Sequence, residues 1–188
     1  MEIKGILVLS LFCAVSLSVF GQTRADSVVG TWLRDVESTN QTAGTKEIQH
    51  VQREMCADGG LIETVIYEEC VTSPEGEEVT LFLRCRVKGS WELVNDGRDI
   101  CIHYRTSTLQ VVLTDIRFPL HAESLQNEMR AAFMKKNHRS MKNYTRTMQN
   151  ILKSYYKRND NSIFKDVSLT SSQMTAVLGD ETLYFLRK

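Results

Sequence analysis

Alternation between apolar and polar residues dominates the chain from Val28 to Phe118 and limits what it can fold into. In the stretch 79–88, for example, one set of alternate residues is apolar: Val79, Leu81, Leu83, Cys85 and Val87. Neighbouring side chains of a strand point to opposite faces of its sheet, so the pattern predicts strands with one buried face. Turn residues interrupt the alternation about every ten positions, which is typical of an antiparallel meander.

An Asp-Gly pair at residues 58–59 predicts the first hairpin turn. If this turn has two residues, Cys56 lies opposite Leu61 and Cys70 lies opposite Glu47. Because the side-chain period of a strand is two, this register determines which residues of both strands face the core.

A second Asp-Gly pair, at residues 96–97, predicts another hairpin turn, which sets Trp91 opposite Ile102. The residues after this turn, up to Phe118, form either one long bent strand or two shorter ones.

The period changes after Pro119. Between His121 and Arg158, apolar residues recur at three- and four-residue steps: Leu125, Met129, Phe133, Met141, Tyr144, Met148, Ile151 or Leu152, and Tyr155. This spacing predicts an amphipathic helical insertion at about 121–158. We expect two helices with a break near residues 137–140, followed by three more strands.

A closed barrel accommodates eight or nine antiparallel strands with few long connections, since closure removes unpaired strand edges. Consecutive hairpins favour up-and-down order over a two-sheet sandwich. The predicted fold is mostly β: an up-and-down antiparallel β-barrel of about eight strands, with the helical insertion before the last strands. The interior of such a barrel is either filled by side chains or holds one small ligand.

Residues 1–21 have the composition of a secretory signal peptide, with a basic residue near the start and an apolar stretch over residues 6–15. This stretch is shorter than the roughly 20 residues that a membrane-spanning helix needs. Cys13 follows Phe12 rather than a small residue, so no lipid-modified cysteine is expected. We therefore expect a cleaved leader, a single domain over residues 22–188, and a secreted or periplasmic product that is not transmembrane.

The chain has no net charge at neutral pH, which argues against a nucleic-acid partner. Its basic residues nevertheless concentrate in the insertion, because residues 121–158 hold nine basic and two acidic residues. Such a segment can cap the barrel, lie on an anionic surface or dock an envelope protein. We expect a cap, because the apolar stripe of the insertion needs cover within its own domain.

Four cysteines follow the leader: Cys56, Cys70, Cys85 and Cys101. An even number in an exported chain suggests disulfides. In the predicted register, however, cysteines that share a sheet face lie two strands apart, at about 9–10 Å, which exceeds the reach of a disulfide. We expect most of them to be thiols.

The first predicted strand contains Gly30-Thr31-Trp32, soon after the leader. Together with the leader and the meander, this triplet resembles the GxW motif of the lipocalin and calycin superfamily, in particular the short lipocalin-like proteins exported by Bacteroides-type bacteria. The resemblance implies a lipocalin-like barrel that Trp32 closes at its base, with Arg187 of the last strand packed against the indole ring. It also implies that Gly30 allows close backbone approach. A helix before the last three strands departs from the family's pattern.

The apolar face of the middle strands is the candidate ligand-binding surface. It comprises Val65, Tyr67, Leu81, Leu83, Trp91, Ile102 and Tyr104. The tyrosine hydroxyls and the indole N–H supply its few polar groups. The alternative is that the same residues fill a solid core, and the sequence leaves both open.

Cys101 and His103 lie two residues apart on one predicted strand face, with Glu92 opposite Cys101. These groups could form a thiol–imidazole or partial metal site. An ordinary exposed strand face is the expectation, because the sequence shows no further ligand and no orienting acid. We therefore expect no catalytic residue, no metal and no cofactor.

The sequence favours a non-enzymatic, exported lipocalin-like protein that binds a small apolar or amphipathic molecule under a helical cap. The alternative is an envelope interaction protein with a filled barrel, which uses the basic insertion or the outer sheet face. An enzyme is the least favoured class, since no convergent set of acid, base or metal-binding residues is visible and a fold alone supplies no activity.

Overall fold

The computed structural model describes residues 25–40, 45–73 and 76–188. The predicted signal peptide, residues 1–21, lies outside this part of the chain. The described residues form eight strands and one long helix: β1 (Gly30–Asn40), β2 (Thr45–Met55), β3 (Gly60–Thr72), β4 (Glu78–Val94), β5 (Asp99–Arg117), α1 (Gln126–Arg158), β6 (Ser162–Leu169), β7 (Gln173–Leu178) and β8 (Glu181–Arg187). A 3₁₀ turn, Glu123–Leu125, leads into α1.

Neighbouring strands pair antiparallel in chain order, and β8 returns to β1 to close the barrel. Alternate residues of the strands face the core, as in β4, where every second residue from Val79 to Val87 is buried. The structure therefore confirms the predicted class, a mostly-β up-and-down barrel of eight strands with a helix inserted before the last three.

The strands differ in length, and this difference determines where the helix lies. β4 and β5 have 17 and 19 residues, whereas β6, β7 and β8 have eight, six and seven. β5 pairs with β6 only through residues 100–102, so within the described chain the rest of β5 has no strand on that side. α1 packs against β5 instead, and buries part of the sheet face that the short strands leave uncovered.

α1 is continuous over 33 residues, about 50 Å at 1.5 Å per residue, so the prediction of a break near residues 137–140 is wrong. That segment contains neither proline nor glycine, the residues that interrupt helices most strongly. The Asn137 side chain donates to the carbonyl oxygen of Phe133 at 3.1 Å, within the same helix. The gap in the apolar spacing at residues 137–140 therefore corresponds to a more exposed turn within one helix and not to a helix end.

The apolar stripe of α1 faces the barrel. The residues that pack against the core are Met129, Phe133, Met134, Met141, Tyr144, Met148, Leu152 and Tyr156. Tyr156 is only 1% exposed, whereas Tyr155, which the spacing assigned to the stripe, is 47% exposed. Within the described residues, no helix is both long and apolar enough to cross a membrane.

The first hairpin turn has three residues, 57–59, and not two. Gly59 has a left-handed backbone with φ of 78°, the conformation that ends a three-residue hairpin loop. The extra residue shifts the register by one position. The resulting pairs are Met55 with Leu61 and Glu47 with Glu69, in place of Cys56 with Leu61 and Glu47 with Cys70.

The second Asp-Gly turn confirms its predicted register, because Trp91 lies opposite Ile102. β5 continues from this turn as one long strand, with two register shifts against β4. β4 and β5 approach each other closely at Gly89, where a Cβ atom would lie 2.0 Å from the carbonyl oxygen of His103. Any other residue would force the two strands apart at this point.

Trp32 is fully buried at the start of β1. Its indole N–H donates to the carbonyl oxygen of Val28 at 2.7 Å. Arg187 lies opposite Trp32 on β8, with its guanidinium carbon 5.2 Å from the indole centroid and its Nη2 donating to the Val29 carbonyl at 2.5 Å. A Cβ atom at Gly30 would lie 3.1 Å from Arg187 Nε, so glycine leaves room for the guanidinium over the ring.

Candidate functional site

A buried ion pair joins two neighbouring strands inside the barrel. Arg53 of β2 and Glu63 of β3 are cross-strand partners, and Arg53 Nε donates to Glu63 Oε2 at 2.5 Å. The guanidinium also lies over the rings of Phe164 and Phe185, at 4.9 and 5.1 Å from their centroids. Burial lowers the pKa of Arg53, but the charge of Glu63 raises it, and the net direction is upward. Arg53 is therefore a permanent cation held by one carboxylate and two aromatic faces.

Two tyrosine hydroxyls complete the contacts of Glu63, which is only 3% exposed. Tyr104 donates to Oε2 at 3.0 Å, and Tyr156 of α1 donates to Oε1 at 2.8 Å. Burial, followed by the charge of Glu63, raises the pKa of both tyrosines well above its ordinary value. Both hydroxyls thus stay protonated, and the buried carboxylate is satisfied by one cation and two O–H donors.

The four cysteines of the described chain are free thiols. Cys85 is the one nearest to the buried cluster, because its Sγ lies 3.8 Å from the Tyr156 hydroxyl. Burial raises the pKa of Cys85 to about 12. Since the thiolate is the reactive form of cysteine, Cys85 serves as a small apolar core residue at neutral pH.

A cavity of about 430 Å³ adjoins this cluster, between β1, β2, β3, β8 and the last three turns of α1. Arg53 and Glu63 form part of its wall. The cavity lies where β1 and β8 separate, because these strands pair only at Trp32 and Leu33 of β1. Its apolar surface comes mainly from Val36, Val51, Val65, Met148, Leu152 and Phe185.

Charged side chains surround the cavity. Arg34 of β1 forms an ion pair with Glu181 of β8, across the gap between the two strands. Glu47 accepts a hydrogen bond from Gln49 at 2.9 Å. Arg158, in the last turn of α1, lines the cavity and has no hydrogen-bond or ion-pair partner among the described residues. The cavity therefore combines an apolar wall with the carboxylate of Glu47 and with the guanidinium of Arg158, which pairs with no described residue.

The structure divides the predicted ligand-binding residues between the cavity and the core. Val65 and Tyr67 line the cavity. The others belong to the packed core: Leu81, Leu83, Trp91, Ile102 and Tyr104. The indole N–H of Trp91 donates to the carbonyl oxygen of Cys56 at 3.1 Å, and Tyr104 donates to Glu63. The open space therefore lies against β1, β2 and β3, and the middle strands are covered.

Arg53, Glu63 and Tyr156 are not among the residues that the sequence pattern predicts for the site. A two-residue turn at 58–59 would place Arg53 opposite Thr64, which separates the two charges that in fact pair. The ion pair could have been predicted from two opposite charges at inward positions of adjacent strands. The two charges lie opposite each other only if the turn has three residues.

A second cluster lies on the outer face of β4 and β5 and contains Glu92, Cys101 and His103. Their ligand atoms all lie within 4.8 Å of one another, and no other group of three or more His, Cys, Asp or Glu residues in the described chain has this arrangement. None of the three lines the cavity.

No protein-family model matches the chain, and no curated protein matches it.

Proposed function

We propose that this chain is an exported, non-enzymatic, lipocalin-like protein that binds one small amphipathic molecule in the cavity. The observation that carries the proposal is the combination of an apolar wall with charged side chains in one space of about 430 Å³. Small-molecule sites typically have volumes of ~300–1,000 Å³ and few, well-placed polar groups. The leader-like residues 1–21 and the Gly30-Thr31-Trp32 triplet support export and the lipocalin-like class.

The charges favour an amphipathic ligand over a purely apolar one. Val36, Val51 and Phe185 offer an apolar surface to the body of a ligand. Arg158 offers a guanidinium that pairs with no described residue, and guanidinium groups bind carboxylate, sulfate or phosphate in a bidentate manner. An acidic head beside Arg158 and an apolar body against β1 and β2 fit this arrangement.

The end of α1 acts as a lid in this proposal. Ile151 and Tyr155 both line the cavity, yet they are 54% and 47% exposed. Large apolar side chains beside an open pocket are typical of a binding surface, because a bound ligand removes them from water. At roughly 25 cal/mol per Å² of apolar surface, covering them adds to the affinity for the ligand.

Titration with 1-anilinonaphthalene-8-sulfonate, a fluorescent amphipathic anion, tests this proposal. We expect saturable binding of one probe per native chain. Val51→Trp, which places an indole ring inside the cavity, should weaken probe binding by at least about tenfold. Val112→Trp is the matched control, because Val112 is 47% exposed and does not line this cavity.

Equal probe binding by the wild type and both variants would contradict the proposal, because the probe would then bind elsewhere. Circular dichroism of both variants establishes that they keep the β-rich fold. Absence of saturable binding to the wild type would contradict it as well.

The outward face of α1 favours a second function, interaction with an acidic surface or partner in the cell envelope. Eight basic residues of the helix are exposed: Lys135, Lys136, Arg139, Lys142, Arg146, Lys153, Lys157 and Arg158. Such a face attracts anionic surfaces, and salt weakens that attraction.

Co-sedimentation with phosphatidylglycerol vesicles at low and high salt tests this second function. Lys142→Glu with Arg146→Glu should abolish any salt-sensitive binding, and unchanged binding would contradict this function.

A further inference from the structure

Glu92, Cys101 and His103 form a cluster of three different side-chain types on the outer face of the barrel. Glu92 of β4 and Cys101 of β5 are direct cross-strand partners. His103 follows two residues after Cys101, so its side chain lies on the same face of β5. The inward neighbours Trp91, Ile100 and Ile102 are all buried. The packed sheet therefore fixes the backbone positions of all three outer residues, as a preformed site requires.

The three side chains converge on a single atom, the Nε2 of His103. Cys101 Sγ lies 3.5 Å from this nitrogen, and Glu92 Oε1 lies 3.3 Å from it. A neutral imidazole nitrogen carries at most one proton and can donate it to only one partner. Hydrogen bonding to that nitrogen therefore satisfies one of the two groups at a time.

These separations match those of ligands around one tetrahedral zinc ion. Zn–S bonds of about 2.3 Å and Zn–N or Zn–O bonds of about 2.0–2.2 Å place sulfur and nitrogen about 3.5 Å apart, and nitrogen and oxygen about 3.3 Å apart, at a tetrahedral angle. The sulfur and the carboxylate oxygen lie within 4.8 Å of each other. The Glu92 side chain is 63% exposed, so it is free to rotate closer.

We propose that Glu92, Cys101 and His103 bind a Zn²⁺ ion, with a water molecule at the fourth position. Thiolate and imidazole are ligands that zinc prefers, whereas Mg²⁺ and Ca²⁺ prefer sites made of oxygen atoms alone. When the Zn–S bond forms, the Cys101 thiol releases its proton to water. Cys101 is 7% exposed and Glu92 faces solvent, so the ion sits at the surface with an open side for water.

The zinc site is independent of the proposed ligand cavity, because none of its residues lines that cavity. It lies close to the turn that connects β4 to β5, whose strand ends pair at Val94 and Asp99. A bound ion would join the two longest strands of the barrel on their outer face and stabilise the folded chain in proportion to its affinity and concentration.

Metal titration of the purified, reduced and chelator-treated protein tests the proposal. We expect one equivalent of Co²⁺ to bind with a thiolate-to-cobalt charge-transfer band, and Zn²⁺ to displace it. Cys101→Ser should abolish that band, and His103→Gln should weaken Zn²⁺ binding by at least about tenfold. Zn²⁺ should also raise the unfolding midpoint of the wild type.

Cys70→Ser is the matched control. Cys70 Sγ donates to Glu78 Oε1 at 3.0 Å, so that site has a thiol and a carboxylate without the imidazole of the cluster. The variant should bind Co²⁺ and Zn²⁺ as the wild type does. Absence of a charge-transfer band in the wild type, or a band that persists in Cys101→Ser, would overturn the proposal. A band that Cys70→Ser removes would overturn it too, and the wild-type titration decides the matter even if a variant does not fold.

Discussion

The two halves of the barrel's inner wall differ in what covers them. The β4–β5 half presents apolar side chains such as Leu83 and Val87, which are fully buried, and α1 packs against it. The β1–β3 half presents Arg34, Arg53 and Glu63, and it lines the cavity. The inserted helix thus packs against the β4–β5 half, and a cavity remains between its last three turns and the β1–β3 half.

The kind of side chain that lines each half depends on whether packed neighbours or a cavity lie against it. Apolar side chains fill the β4–β5 half because closely packed neighbours on all sides exclude water. Charged side chains persist in the β1–β3 half where they pair with each other or face the cavity. Glu63 lies at the border between the halves, and its two tyrosine partners come from β5 and α1. The border is therefore where the largest energetic effect of a substitution is expected.

Glu63→Leu should have the largest effect, because it removes the carboxylate that joins the two halves. The variant leaves the buried Arg53 without its carboxylate, and we expect a loss of about 3–5 kcal/mol in the free energy of unfolding. Urea denaturation measures it. The double variant Glu63→Leu with Arg53→Met removes both charges and should recover a large part of the loss. A single-variant loss below about 1 kcal/mol, or a double variant that is no more stable than the single one, would contradict the role of the pair.

A matched pair of truncations compares the two halves directly. Val87→Ala removes two methyl groups from the packed half, and we expect a loss of about 2 kcal/mol in the free energy of unfolding. Val51→Ala makes the same change on a side chain that borders the cavity, where fewer contacts are lost, and we expect less than about 1 kcal/mol. Denaturant titration of both proteins provides the comparison. Equal losses would show that the β1–β3 half is packed as tightly as the other.

Arg187→Met tests the contact between β8 and the start of β1. Methionine keeps much of the side-chain length but removes the cation over Trp32 and the hydrogen bond to the Val29 carbonyl. We expect a loss of about 1–2 kcal/mol in the free energy of unfolding, with unchanged affinity for the fluorescent probe. Thermal unfolding and probe titration measure the two quantities. A loss of probe affinity without a loss of stability would place Arg187 in the ligand site.

His50→Gln has the smallest expected effect and concerns the outer face of the charged half. His50 lies between Asp35 and Glu68, with ring nitrogens 2.8 and 3.0 Å from their carboxylates. The hydrogen bond with Asp35, opposed by burial and supported by Glu68, raises the pKa of His50 above its ordinary value of 6.5. A raised folded-state pKa stabilises the fold fully below 6.5, and this contribution disappears as the pH rises through the folded-state pKa.

We therefore expect the wild type to be more stable than His50→Gln at a pH below 6.5, by less than about 1 kcal/mol because the group is partly exposed. The two proteins should converge at alkaline pH. Denaturant titrations at the two pH values check this, and an advantage of the wild type that grows with rising pH would contradict the assignment.

The barrel could be predicted because its signals are local and repeated. The alternation in β4 and the Asp-Gly turn that sets Trp91 opposite Ile102 both depend on residues that are close in the sequence. The helical insertion could be predicted for the same reason, although its continuity through residues 137–140 required the observation that neither proline nor glycine interrupts it.

The sequence pointed to Val65 and Tyr67 of the candidate site, but the rest of it depends on two facts that the local pattern does not contain. One is the length of the turn at residues 57–59, which brings Arg53 opposite Glu63. The other is the path of α1 over the barrel, which places Tyr156 inside and leaves Ile151 and Tyr155 beside open space. The candidate face of the middle strands had the right composition for a pocket, but only Val65 and Tyr67 line the cavity, and the rest of the face is buried in the core.

Native mass spectrometry of the protein purified from an exporting bacterial host tests whether the β1–β3 half of the barrel holds one small amphipathic molecule. We expect an added mass that denaturation removes and that Val51→Trp lacks, whereas Val112→Trp retains it. A bare wild-type mass that stays bare after amphipathic probes are added would contradict it.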